Sequence, residues 1–368
     1  MTYRLPLLSG SRLWRCLLGI LTTAAGSLSG LQAADKPTVV VENIRRVFHN
    51  GEHNAFTDLI RWRGKFWLTF RSSPDGHGVN PNAAIIVLNS DDAKTWKEAH
   101  RFSVPNRDTR DPHFLDFKGK LFIYAGCWHA GTKEKPVKKE ETEMNHHFGY
   151  AAFTADGTSW EGPRQLEGTY GHYIWRVASY GGKAYLCARR KFGHTESGDR
   201  DMPGGRQSAM LESEDGLRWR YVSNFQDKSG NETAFMFDRD GQVTALSRKT
   251  STTSDLSRSR PPYEKWTRQE IPQFIGGPLI ASWGERVLVG GRQSKPAGPR
   301  TVLYWLHNDQ LVPFAELPSD GDNSYPGFVA LDAKRGLISW YSTHEKDAQG
   351  KPITAIYLAD LVITGASR

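Results

Sequence analysis

The sequence predicts an all-β chain folded as a six-bladed β-propeller, and two observations carry that prediction. Six times the chain passes through a short apolar segment, a glycine turn and a second apolar segment. Three times it then reaches a turn of the form Ser/Thr-x-Asp-Gly/Ala-x-x-Trp. The turn glycines of the six pairs are Gly64, Gly119, Gly182, Gly241, Gly284 and Gly336. They recur at the spacing of propeller repeats, each unit a set of short antiparallel strands.

The segments justify the assignment one by one. The pairs are 55–62 with 65–70, 113–117 with 120–125, 174–180 with 183–188, 233–237 with 242–247, 279–283 with 286–290, and 327–331 with 337–342. Each is short, rich in β-branched and aromatic residues, and broken by glycine, which is hairpin chemistry. No stretch holds the i, i+3, i+4, i+7 spacing of a helix through three turns. The segment 39–48 has no hairpin partner of its own. It is expected to pair beside 355–362 in the last blade and so close the ring, with no edge left open.

In the turns Ser90 to Trp96, Thr154 to Trp160 and Ser213 to Trp219, the Asp and Ser/Thr side chains are suited to bonding the turn backbone. The Trp is placed to cover a seam between blades. These are structural devices.

Composition narrows the function classes. The chain has 48 Lys+Arg against 40 Asp+Glu, a balance of +8. The basic residues are dispersed among acidic ones, which speaks against a nucleic-acid partner. Residues 1–34 read as a signal peptide: Arg4, Arg12 and Arg15 precede a short apolar run from Cys16 to Gly26, and small residues follow at Ala33-Ala34. Its removal brings the balance from +8 to +5. The run is too short to span a bilayer, so residues 35–368 are expected to form one propeller domain, secreted or periplasmic, with no membrane insertion. Cys127 and Cys187 are expected to be buried free thiols.

Counting from the turns places polar groups together. Arg71, Arg189 and Arg248 fall seven residues after their glycines and Arg292 eight. The starts of the first strands supply Asp58, Arg110, Asp111, Arg176, Glu232 and Tyr325. In a propeller the start of strand one and the end of strand two share a face, so these side chains are predicted to converge on one mouth of the channel. Guanidinium groups gathered there call for an anionic ligand, since their forks match carboxylate or phosphate. A salt network without chemistry is the bland alternative. Adjacent His146 and His147 would point to opposite faces of a strand and make a poor metal site, so neither metal nor cofactor is expected.

Several of these motifs resemble the sialidase (neuraminidase) superfamily, and the likeness covers essentially the whole chain after the signal. They are Asn231-Glu232-Thr233 with Arg248 beyond it, Gly290-Gly291-Arg292, and Asn323-Ser324-Tyr325-Pro326-Gly327. The three Asp turns look like shortened Asp-boxes. The resemblance implies an exo-glycosidase of retaining type for a terminal carboxylated sugar. It implies Tyr325 as nucleophile, Glu232 as the acceptor of its proton, and Arg248 and Arg292 as the carboxylate clamp. Sialidases carry a third arginine at the opening of blade one, where this chain has Ala55-Phe56-Thr57-Asp58-Leu59. Arg71 or Arg176 is expected to replace it. Asp75 or Asp58 is expected to protonate the leaving oxygen, and His77 to bond the sugar. Arg110-Asp111-Pro112 is similar to a motif of five-bladed furanosidases, which offers Asp58, Asp111 and Glu232 as an alternative trio for another hydrolase or lyase. A non-catalytic glycan-binding propeller is the third reading, with residues 193–205 as a covering loop. In all three the partner is an acidic glycan.

Overall fold

The computed structural model describes residues 37–132, 134–138, 146–191 and 205–365. The signal segment and nearly all of the 193–205 insertion lie outside them. Strand β1 (Thr38–Phe48) is followed by six groups of four strands. Blade one is β2 (His53–Trp62), β3 (Lys65–Ser73), β4 (Ala84–Ser90) and β5 (Lys97–Phe102). Blade two is β6 (Arg107–Phe117), β7 (Lys120–His129), β8 (Phe148–Thr154) and β9 (Trp160–Gln165). Blade three is β10 (Tyr173–Tyr180), β11 (Lys183–Lys191), β12 (Arg206–Ser213) and β13 (Arg220–Gln226). Blade four is β14 (Thr233–Phe237), β15 (Val243–Arg248), β16 (Ser254–Ser259) and β17 (Trp266–Ile271). Blade five is β18 (Gly276–Trp283), β19 (Arg286–Lys295), β20 (Gly298–His307) and β21 (Gln310–Leu317). Blade six is β22 (Asn323–Ala330), β23 (Arg335–Lys346) and β24 (Pro352–Thr364), with β1 as its outermost strand.

The ring closes as the sequence predicts. β1 pairs antiparallel with β24, Val39 opposite Ile363 and Val41 opposite Leu361, so the two ends of the propeller share one sheet. Among the described residues no helix is long and apolar enough to cross a membrane.

Six apolar clusters hold the blades, one in each seam. Between blades one and two, Trp62, Trp67, Ile85 and Val87 meet Phe114, Leu121 and Ile123. Between six and one, Val329, Leu337 and Leu358 meet Leu59, Phe70 and Ile86. A fully buried side chain of this size stabilises by about 1.5–3 kcal/mol, so the seams are the main source of stability. The middle strands, buried on both faces, are nearly continuous apolar runs, and outer strands such as β5 and β17 carry charge.

The Asp turns lie between the third and fourth strands. Asp92, Asp156 and Asp215 each accept two backbone N–H bonds within their own turn at 2.7 to 2.8 Å. Each turn of blades two and three also leans on the preceding blade. Tyr124 of blade two donates to Gly216 O at 3.0 Å, and the Trp160 ring packs edge-on to Trp67 of blade one.

One irregularity positions the functional residues. In five blades the first strand carries a bulge near its start, leaving two residues unpaired: Phe56-Thr57, Asp111-Pro112, Trp175-Arg176, Gly277-Pro278 and Tyr325-Pro326. Phe56, Asp111, Gly277 and Tyr325 take left-handed φ values of 64°, 50°, 57° and 50°. Proline suits the second place because that N–H has no ladder partner. Blade four lacks the bulge and offers Glu232 just ahead of β14.

Candidate active site

The bulge residues converge at the mouth of the channel. Tyr325 donates its hydroxyl to Glu232 Oε1 at 2.5 Å, although the two come from blades six and four. Gly277 of the intervening blade makes this possible. Its N–H donates to Glu232 Oε2 at 2.8 Å, and a Cβ there would lie 2.5 Å from the Tyr325 ring. Burial alone would push the Glu232 carboxyl up; Arg248, the Tyr325 hydroxyl, the Gly277 N–H and Arg292 together outweigh it and hold Glu232 below its usual value. Burial and the Glu232 charge raise the Tyr325 phenol well above its own. The couple is thus a neutral phenol bonded to a carboxylate that can accept its proton.

Arg248 Nη1 is 3.5 Å from Glu232 Oε1, and its guanidinium lies over the Phe274 ring. Arg292 Nη1 is 3.4 Å from Asp322 Oδ1 and donates to Asn323 O at 3.2 Å. Asp322, which the motifs did not single out, organises this flank. Its Oδ2 meets His53 Nε2 at 2.9 Å and His77 Nδ1 at 2.7 Å, and its Oδ1 accepts from Tyr341 at 2.9 Å. His77 is therefore at the rim, half exposed and edge-on to Phe56. His53, His77 and Asp322 are also the cluster among the described residues with ligand atoms near enough to hold a metal, within 4.8 Å of one another.

Asp111 occupies the bulge of blade two. Its Oδ2 accepts from the Tyr173 hydroxyl and from Trp175 Nε1 at 3.0 Å, and its Oδ1 is buried without a hydrogen-bond partner. Burial first, opposed by Arg110 and reinforced by the charge of Glu232, raises its pKa to about 6. A carboxyl so placed can carry a proton near neutrality.

Three residues expected at the mouth are engaged elsewhere. Arg71 is wholly buried: Nε and Nη2 bond Asp108 at 2.9 and 3.2 Å, and Nη1 and Nη2 donate to Gly76 O and Gly78 O. It reaches the expected height, but Asp108 of the next blade intercepts the guanidinium. Asp58 and Arg176 lie one step deeper in the channel and bond each other, Oδ1 to Nη1 at 2.9 Å. Asp58 Oδ2 accepts the Phe114 N–H at 2.8 Å, and Arg176 also donates to Pro278 O and Pro326 O. At the bulge position of blade one stands Phe56, its ring 4.8 Å from that of Tyr325.

Asp75 is exposed and accepts from Asn80 Nδ2 at 2.6 Å. Cys127 and Cys187 are buried free thiols.

No protein-family model matches the sequence, and no curated protein matches it. Solved structures do match. A crystal structure of a protein of unknown function from Dyadobacter fermentans superposes with a TM-score of 0.70 at 21% identity, over 89% of this chain and 100% of that one. Trypanosoma rangeli sialidase in complex with sialic acid gives 0.59 at 12% identity, over 90% of this chain and 59% of that one. An α-L-arabinofuranosidase from Fusarium graminearum, in complex with an iminosugar inhibitor, gives 0.57 at 12% identity, over 83% and 92%. At such identities the likeness is one of fold, that of the six-bladed β-propeller.

Proposed function

We propose that the chain is an exo-acting, retaining glycosidase for a terminal acidic sugar, working outside the cytoplasm after export. The observation that carries this reading is the 2.5 Å hydrogen bond from Tyr325 to Glu232. A phenol beside a carboxylate becomes nucleophilic as its proton leaves, and as a neutral group it avoids the repulsion a carboxylate would meet at an anionic sugar.

In the first step Tyr325 Oη bonds the anomeric carbon while its proton passes to Glu232 Oε1. The bond to the leaving oxygen breaks, and that oxygen takes a proton from Asp111. Of the acidic residues, Asp111 suits this role because its Oδ1 is unpartnered and its pKa is raised to about 6, whereas Asp58 is ion-paired with Arg176 and held below its usual value, and Asp75 is exposed on a loop. In the second step water attacks the anomeric carbon, Asp111 takes the water proton, and the departing tyrosine recovers its own from Glu232. Arg248 and Arg292, with neighbouring Arg189, make the mouth attractive to an anion.

The test is hydrolysis of aryl glycosides of sialic acid and of uronic acids by the wild-type protein and Tyr325→Phe. The variant is expected to lose roughly a thousandfold or more in turnover, the scale on which removing a nucleophile acts. A substrate hydrolysed equally by both proteins would remove Tyr325 from the chemistry.

A further inference from the structure

Three arginines end the second strands of blades three, four and five at one height. Arg189 is paired with Tyr173 and Arg292 with Gly276, and the Arg248 N–H donates to Glu232 O. Their electrostatic surroundings differ. Arg248 has Glu232 and Arg292 has Asp322, but Arg189 has no carboxylate within ion-pair distance among the described residues. Yet Arg189 is only 9% exposed, and its Nε is buried without a hydrogen-bond partner. Three rings surround its guanidinium, Trp175 at 5.0 Å, Tyr173 at 5.5 Å and Trp128 at 6.0 Å. Aromatic faces attract the cation but leave the N–H donors at its edge unused.

The same corner holds other unpaired buried atoms: Asp111 Oδ1, Trp128 Nε1 and both ring nitrogens of His147, which packs 4.3 Å from Trp128. Buried polar atoms are rarely left unpaired, and a group of them beside a guanidinium that has no carboxylate partner, with the charge of Arg206 acting on it as well, points to a bound polar anion. The corner adjoins the nucleophile couple, since the Glu232 carboxylate acts electrostatically on Arg189. Blade three stands three places round the ring from blade six, so Arg189 and Tyr325 come from opposite blades.

We propose that Arg189 seats the acidic group of the substrate, and that this group is carried on a ring carbon other than the anomeric one, as the carboxylate of a hexuronic acid or as a sulfate ester. A carboxylate on the anomeric carbon would sit beside Tyr325 itself, where the available guanidinium groups already face Glu232 and Asp322. The orientation of the sugar rests on the glycosidase reading; the anion seat at Arg189 does not.

Calorimetric titration decides it, using methyl glucuronoside, methyl glucoside 6-sulfate and methyl α-sialoside against wild type, Arg189→Met, Arg189→Lys and Tyr325→Phe. Wild type and Tyr325→Phe are expected to bind the uronide or the sulfated sugar more tightly than the sialoside, and whichever binds identifies the anion. Arg189→Met should weaken that binding at least tenfold, and Arg189→Lys, which keeps the charge and loses the fork, by less. If Arg189→Met does not fold, the weakening by Arg189→Lys decides. Undiminished binding by the folded variants, tightest binding of the sialoside, or no binding of either other probe to wild type overturns the proposal. Equal turnover by wild type and Tyr325→Phe would defeat the glycosidase reading and leave the binding result standing.

Discussion

Arg176 on the first strand of blade three lies 2.9 Å from Asp58 on the first strand of blade one, and this pair joins two blades that are not neighbours in the ring. The same guanidinium donates to Pro278 O of blade five at 3.2 Å and to Pro326 O of blade six at 2.7 Å. Asp58 in turn holds the Phe114 N–H of blade two. Five blades are thereby tied at one point on the axis, directly below the bulges that carry Asp111, Gly277 and Tyr325.

A buried pair with this many partners is costly to break from one side. Arg176→Met would leave Asp58 charged and without its cation, with a loss of about 3–5 kcal/mol expected. Urea denaturation measures it. A loss below about 1 kcal/mol would mean that water replaces the guanidinium and that the pair is not a strut.

Gly277 touches both members of the couple. Its φ of 57° is strained for any side chain, and a Cβ would press into the Tyr325 ring. Gly277→Ala is expected to displace Tyr325 from Glu232 and to reduce turnover on any substrate by roughly a hundredfold, because misplacement by about 1 Å costs that much. Gly64→Ala is the control, since that turn also has positive φ but nothing within 4 Å of the added carbon. If both variants lose stability without a difference in turnover, the close approach does not govern the chemistry.

The propeller was legible because hairpins are local: the segment on each side of Gly64 or Gly182 must pair with its neighbour, and the repeat supplies the rest. Arg248 and Arg292 could be placed at the mouth by counting residues after their turn glycines, and Glu232 and Tyr325 by their place at the starts of first strands, since strand height follows from such positions. Direction is not local. Arg71 and Arg292 end the second strands of their blades alike, but Asp108 of the adjoining blade captures one and Asp322 only flanks the other. Asp58 was assigned to the mouth because it begins blade one, yet the bulge at Phe56-Thr57 sets it one step deeper. The signal for that shift was present in part, as Pro112, Pro278 and Pro326 each follow the residue that faces the mouth. Phe56-Thr57 and Trp175-Arg176 lack the proline, and there nothing in the sequence marked the bulge.

The raised pKa of Asp111, about 6, fixes one side of the expected pH profile. A proton donor must be protonated, so kcat/KM should fall as pH rises through about 6. Glu232 must be ionised to accept the tyrosine proton, and its lowered pKa sets the acid limb below the ordinary glutamate range. Asp111→Asn should abolish the alkaline limb and slow substrates with poor leaving groups by roughly 10²–10⁴-fold, while dinitrophenyl glycosides, which need no proton, lose far less. An unchanged alkaline limb in the variant would move the acid role to another group.

Acid should also destabilise the surroundings of the Arg176–Asp58 pair. His113 lies beside Asp58, its Nδ1 3.5 Å from Oδ2, and burial together with the Arg176 charge lowers its pKa to about 4 from the ordinary 6.5. Between those values the unfolded chain binds a proton that the folded chain refuses, so this histidine makes stability fall as pH drops from 6.5 toward 4. The shift corresponds to roughly 3 kcal/mol at its full extent. Asp58, also lowered, adds to the loss at still lower pH, whereas Asp111 takes up its proton on folding and opposes it from about 6 downward. The histidine contribution is isolated by comparing urea denaturation of wild type and His113→Asn at pH 7 and pH 4.5. Wild type should lose more stability than the variant over that interval. Parallel losses would mean that His113 is protonated in the folded protein and that acid sensitivity arises at another site.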